Sequence, residues 1–116
     1  MKTFITTDAR KGRGVYARAP ILKGELIERC HLLLIKLTEV PDSLEGYVFE
    51  FNVKNVALAL GNGSLFNHND RPNADFTIDV KNKILVVKAT KIIYPDEEIT
   101  INYRYSKAEK MKFKLL

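Results

Sequence analysis

Three short runs hold most of the residues with chemistry to offer. They are Gly12-Arg13-Gly14-Val15-Tyr16-Ala17, Asn67-His68-Asn69-Asp70-Arg71-Pro72-Asn73 and Asp96-Glu97-Glu98-Ile99-Thr100-Ile101-Asn102-Tyr103. Glycines let a backbone come close to a bound group, Asn and His put donors and acceptors within short reach, and a Tyr hydroxyl on an apolar strand can orient a reacting group. No covalent nucleophile is evident. Ser43, Ser64 and Ser106 sit in no elbow motif, and His31 and His68 are the two histidines available as bases. Cys30, His31 and His68 make a poor zinc set, since adjacent residues on a strand face opposite ways, so no metal is expected. Gly61-Asn62-Gly63 lacks the third glycine of a dinucleotide fingerprint, and Lys11-Gly12-Arg13-Gly14 lacks the spacing of a phosphate loop.

The elements that must position these runs read as strands. Apolar segments fall at 15–17, 26–37, 47–51, 56–60, 76–80, 84–89 and 99–103, each rich in β-branched or aromatic residues and bounded by Gly, Pro, Asn or Asp. Lys81, Asn82 and Lys83 mark a hairpin turn between two of them. Asp42 or Ser43 is placed to cap a helical turn before Tyr47, and a second short helix is expected only in the tail, 106–116. Ile21 to Ile27 and Ile93 to Ile99 echo one another as Ile-x-x-[Gly/Asp]-Glu-x-Ile, which predicts the same turn chemistry twice.

Length and composition bound the rest. The chain of 116 residues is one domain, 46% apolar and 28% charged, which is ordinary globular composition. No segment approaches the roughly 20 apolar residues that span a bilayer, and no signal peptide opens the chain, so an intracellular protein is expected. The net charge of +5, from 19 Lys and Arg against 14 Asp and Glu, inclines it toward acidic partners. A basic cluster occurs in the tail at Lys107, Lys110, Lys112 and Lys114.

In their order and separation the three runs resemble the SET domain, the family of protein lysine methyltransferases that use S-adenosylmethionine. The resemblance rests on Gly12, Gly14, Val15, Ala17, Gly24, Glu25 and Ile27, then Asn67, His68, Pro72 and Asn73, then Glu97, Glu98, Ile99, Thr100 and Tyr103. It covers about 6–105 and looks like the minimal stand-alone members known from large algal viruses and bacteria. Asn69, Asp96 and Asn102 depart from the Ser, Gly and Asp usual in the family.

The resemblance implies a mostly β fold of several short sheets, the β-clip, with one or two short helices and a knot-like C-terminal crossing in which the Asn-His segment is threaded under a loop. It implies that Gly12, Arg13, Gly14, Asn67, His68 and Tyr105 bind S-adenosylmethionine, that Tyr103 is catalytic with Tyr47 as a second wall of the lysine channel, and that Ile101, two residues before Tyr103, helps set the number of methyl groups added. Leu65 and Phe66 would anchor the crossing segment in the core. The implied partner is a protein with an accessible lysine, a histone tail if the host is eukaryotic. The implied location is cytoplasm for a bacterial source and virion or host nucleus for a viral one. Direct nucleic-acid binding is compatible with the charge but not required, and a homodimer would cover apolar surface. The alternative from another class is a non-catalytic basic β-domain that binds nucleic acid or protein.

Overall fold

A computed structural model of the chain describes residues 2–10 and 12–103. Nine strands follow in order: β1 Thr3–Asp8, β2 Gly12–Ala17, β3 Leu26–Lys36, β4 Val48–Glu50, β5 Asn55–Ala59, β6 Asn67–His68, β7 Ala74–Asp79, β8 Ile84–Ala89 and β9 Glu98–Ile101. They form a four-stranded sheet in the order β1-β2-β9-β6 and a five-stranded sheet in the order β4-β5-β3-β8-β7. The mostly β fold expected from the sequence is the one observed. β1, whose Thr6 and Thr7 interrupt the apolar pattern, and the two-residue β6 are additions to the expected strands.

The hairpin expected at Lys81 to Lys83 joins β7 to β8, with Lys83 in the left-handed region at φ 55°. The helical turn expected near Asp42 is a 3₁₀ helix, Asp42–Tyr47, but its N-cap is Pro41 and no side chain caps it. Pro cannot continue a helix backward and offers no side-chain acceptor, so neither Asp42 nor Ser43 reaches the capping position. The tail helix expected at 106–116 lies outside the described residues.

The short echo in the sequence marks a larger correspondence. A hairpin, β1 with β2, is followed by a turn at Leu22–Glu25 and the strand β3; later in the chain a hairpin, β7 with β8, is followed by a turn at Tyr94–Glu97 and the strand β9. Each turn closes with the same bond, Glu25 N–H to Leu22 O at 3.0 Å and Glu97 N–H to Tyr94 O at 3.1 Å. Each is also closed by the Glu carboxylate, which accepts from Leu22 N–H at 3.1 Å or from Tyr94 N–H at 2.9 Å. The third turn residue needs a positive φ in this turn type, and Gly24 (86°) and Asp96 (70°) supply it.

The two units then exchange their last strands. β9 pairs with β2, Tyr16 opposite Glu98, while β3 pairs with β8, Leu26 opposite Lys88. The turns dock reciprocally: Gly24 N–H donates to Ala89 O and Asp96 N–H to Ala17 O, and Ile21 and Ile93 exchange two backbone bonds of 2.9 Å each. Val15, Ala17 and Ile21 therefore meet Val87, Ala89 and Ile93 in a centre where each of the six side chains is at most 3% exposed. Neither unit can bury this face alone, and apolar area removed from water holds them together.

Beyond the exchange, β3 runs on to pair with β5, which pairs in turn with β4. Cys30 is buried there and its neighbour His31 is exposed, as strand alternation requires. Burial, with the Glu28 carboxylate close by, pushes the Cys30 thiol up to about 11.

Candidate active site

The segment from Asn67 to Asn73 lies against the last strand. β6 pairs with β9 in parallel, Asn67 opposite Thr100 and His68 opposite Ile101, and Asn69 N–H donates to Ile101 O at 2.9 Å. A two-residue parallel pairing is weak by itself. Asn73 secures it: its Nδ2 donates to Glu98 O at 2.8 Å, and its Oδ1 accepts from Thr100 N–H at 2.9 Å. Phe66, 1% exposed, fixes the entry to the segment as expected, with Leu65 packed at the edge of the core. The loop that would complete a knot-like crossing lies beyond the described residues.

Beside this pairing is a cleft of about 300 Å³ lined by Gly12, Arg13, Tyr47, Asn67 and Tyr103, with Gly46 and Ser64 to Phe66 completing its wall. Gly12 holds φ 75°, where a side chain would be strained. Gly14 lies behind the cleft; a Cβ there would stand 2.6 Å from Glu98 Oε2 and 3.0 Å from Asn67 Nδ2. It is a glycine because two polar side chains cross its backbone.

Asn67 donates both amide hydrogens inward, to Arg13 O at 3.0 Å and to Glu98 Oε2 at 2.7 Å. Both partners are acceptors, so the nitrogen must face them, and Oδ1 is left as an acceptor with no partner among the described residues. Tyr103 donates its hydroxyl proton to Phe66 O at 2.7 Å, which leaves the phenolic oxygen as an acceptor. Its ring meets Phe49 edge-on at 6.4 Å, and its hydroxyl's pKa is held above the usual tyrosine value, chiefly by burial and then by Glu98 and Tyr47. Tyr47 ends the 3₁₀ helix on the opposite wall and is 38% exposed.

The cleft thus brings together Gly12, Arg13, Asn67, Tyr47 and Tyr103 of the residues expected to act. His68 is not among its lining residues. Its Nδ1 accepts from Tyr103 N–H at 3.0 Å, so Nε2 carries the proton that bonds Asp70 Oδ1 at 2.8 Å. The ring clasps the chain just before the tyrosine. Ile101 is fully buried within the core cluster and does not line the cleft either. Tyr105 lies outside the described residues. Tyr16 stacks on Phe4 across the β1–β2 hairpin, and Tyr94 is 56% exposed at its turn. The sequence marked Glu98 and Asn73 as motif residues but not their partners, because the Glu98 carboxylate and the two hydrogen bonds of Asn73 act on groups more than 24 residues away.

Comparison with known proteins bears on the same residues. The SET domain profile matches residues 12–104. Histone-lysine N-methyltransferase, H3 lysine-37 specific, of Schizosaccharomyces pombe is 33% identical over 99 residues, covering 81% of this chain and 67% of that protein. A Plasmodium falciparum protein provisionally assigned as a histone methyltransferase superposes with a TM-score of 0.79 at 36% identity, over 92% of this chain and 96% of that one. KRYPTONITE, solved with mCHG DNA and SAH, superposes at 0.71 with 21% identity over 89% of this chain but 23% of its own, a likeness of fold. With the profile spanning all three runs that the fold gathers around one cleft, this chain belongs to the SET-domain family.

Proposed function

We propose that the cleft holds S-adenosylmethionine and that the protein transfers its methyl group to the side-chain amine of a lysine in a basic protein such as a histone. The observation that carries this reading is the meeting, in one cleft, of a close-approach backbone, Gly12 to Gly14, with the Asn67 amide, whose hydrogens point inward, and the Tyr103 hydroxyl, whose proton goes to Phe66 O. These residues fit the cofactor: Asn67 Oδ1 suits an ammonium group, Arg13 suits a carboxylate, and the bare backbone at Gly12 admits a bulky nucleoside.

When bound, the cofactor supplies a methyl group on a sulfonium, which needs no covalent enzyme intermediate. Gly12, Arg13 and Asn67 bind and orient it. Tyr103, its own proton committed to Phe66, accepts an N–H of the neutral lysine amine and so aims the nitrogen lone pair away from the ring and along the cleft. Burial, with Glu98 and Tyr47 nearby, holds the hydroxyl's pKa above the usual tyrosine value, which favours its neutral form. Tyr47 and Tyr103 wall the approach, where aromatic faces attract the incoming cation and exclude water.

Support for a basic substrate comes from the segment that delivers Tyr47. Glu39, Asp42, Glu45 and Glu50 punctuate it, and no Lys or Arg occurs between Leu37 and Val53. The relative that acts on histone H3 agrees in class. In the same reading His68 serves the site by fixing the chain before Tyr103, and Ile101 influences product number only through the core that supports the strand.

The test is a transfer assay with isotopically labelled S-adenosylmethionine on core histones and on a lysine-rich tail peptide, read by mass spectrometry. Label on a lysine side chain is the expected result. Absence of transfer together with absence of S-adenosylhomocysteine binding by calorimetry would overturn the proposal.

A further inference from the structure

The structure assigns a role to a carboxylate that the reaction itself does not call for. Glu98 opens β9 and is half-buried; its Oε2 sits 2.7 Å from Asn67 Nδ2 and passes over Gly14, whose missing Cβ leaves the room. We propose that Glu98 is a positioning residue that fixes the orientation of the Asn67 amide and thereby makes the cleft selective for a ligand bearing an amino group. The inference rests on the reading of the cleft as a cofactor site and deepens it.

An asparagine amide that is free to turn presents either a donor or an acceptor. Here the two hydrogens have two fixed destinations, Arg13 O and Glu98 Oε2, and among the described residues Oδ1 has no protein partner. Arg13 O alone holds one hydrogen at 3.0 Å and leaves the amide plane free to swing. The second, shorter bond, to a carboxylate, locks the plane and is charge-assisted. It also withdraws the amide hydrogens toward negative charge, which makes Oδ1 a better acceptor by polarisation along the chain of bonds. An acceptor fixed in this way favours an ammonium and repels a carboxylate or a carbonyl. Glu98 thus selects the cofactor end that carries the amino group, without needing to touch it.

At the equivalent position of the first unit stands Leu26, 51% exposed, so the exchanged-strand scaffold does not itself require a carboxylate here. The close approach at Gly14 is required only if the Glu98 side chain must lie under Asn67.

Calorimetry on the full chain tests this with two ligands, S-adenosylhomocysteine and its analogue lacking the α-amino group. Wild-type protein should bind the analogue about tenfold to a hundredfold more weakly, the range for a hydrogen bond to a charged group. In Glu98→Ala that ratio should fall at least threefold. In Glu98→Gln, whose side-chain carbonyl can still accept from Asn67, it should stay within about twofold of the wild type. A Glu98→Ala variant that loses affinity for both ligands equally, with the ratio unchanged, shows a merely structural residue and overturns the inference. A ratio near one in the wild type also overturns it while leaving the cofactor site intact. Wild-type protein that binds neither ligand overturns the reading of the cleft, and this inference with it. If Glu98→Ala does not fold, Glu98→Gln decides alone: a collapsed ratio would then count against the role of the accepted bond.

Discussion

The units Thr3–Ile27 and Ala74–Ile99 share a hairpin, a turn, reciprocal docking and a buried Val-Ala-Ile centre, yet the candidate chemistry gathers around the last strand of the second. The difference lies in a few side chains. Lys2 and Asn73 each precede a first strand, and the carbonyl of each accepts from the N–H that follows the paired alanine, Arg18 at 2.7 Å and Thr90 at 2.9 Å. Lys2 then makes an exposed ion pair with Glu25, a contact worth little. Asn73 instead clasps β9 through both ends of its amide. Where the first unit has Leu26, the second has Glu98, and there the crossing segment lies alongside. A scaffold stabilised by symmetry-like packing can therefore carry a site on one copy only, because the shared backbone bonds do not depend on the residues that differ.

The largest effects should come from the shared centre, where the comparison predicts equality. Ile21→Ala and Ile93→Ala should each cost about 2 to 5 kcal/mol from lost burial and the cavity left behind. The two values should agree to within about 1 kcal/mol in urea denaturation; a strongly unequal pair would break the correspondence.

Tyr103→Phe should then separate chemistry from scaffold. Turnover should fall about a hundredfold, or about 2.7 kcal/mol in barrier, while S-adenosylhomocysteine affinity stays within about threefold by calorimetry. Stability should drop by about 1 kcal/mol as the bond to Phe66 O is lost. Full turnover in this variant would remove Tyr103 from its proposed role.

Asn73→Ala should cost about 2 kcal/mol, since Glu98 O and Thr100 N–H both lose their partner in a half-buried place. Lys2→Ala, its positional counterpart, should change the melting midpoint by an amount equivalent to less than about 1 kcal/mol. Equal losses would mean that Asn73 is no more than a surface contact. The smallest effects belong to the turns. Gly24→Ala should cost about 1 kcal/mol for forcing a Cβ into the left-handed region, whereas Asp96→Gly should shift stability by less than about 0.5 kcal/mol, because Asp tolerates that region and Gly adds entropy to the unfolded chain.

How much of this was legible depended on the range of the interaction. The turn at Tyr94–Glu97 could be read from Pro95, Asp96 and Glu97 because its bonds close within four residues. The strand runs could be read because β-branched residues recur between Gly, Pro and Asn. The capping of the Asp42 turn was misread, since Pro41 pre-empts the position that a polar side chain would take. The residues of the site were legible as a pattern, from Gly12 to Tyr103, but their partners were not.

By itself the sequence determined the composition of a β-rich core, the two matching turns, the polar segment at Asn67 to Asn73 and the family to which they belong. All of these follow from local backbone preference and residue order. Only the tertiary structure decided that the two units exchange strands, that β6 lies parallel to β9, that His68 holds the chain before Tyr103 rather than lining the cleft, and that Glu98 faces Asn67 across Gly14. Those relations join residues at least 31 positions apart, the separation of Asn67 from Glu98. They exist because burying the common apolar centre fixes where distant strands must lie, and no local preference carries that information.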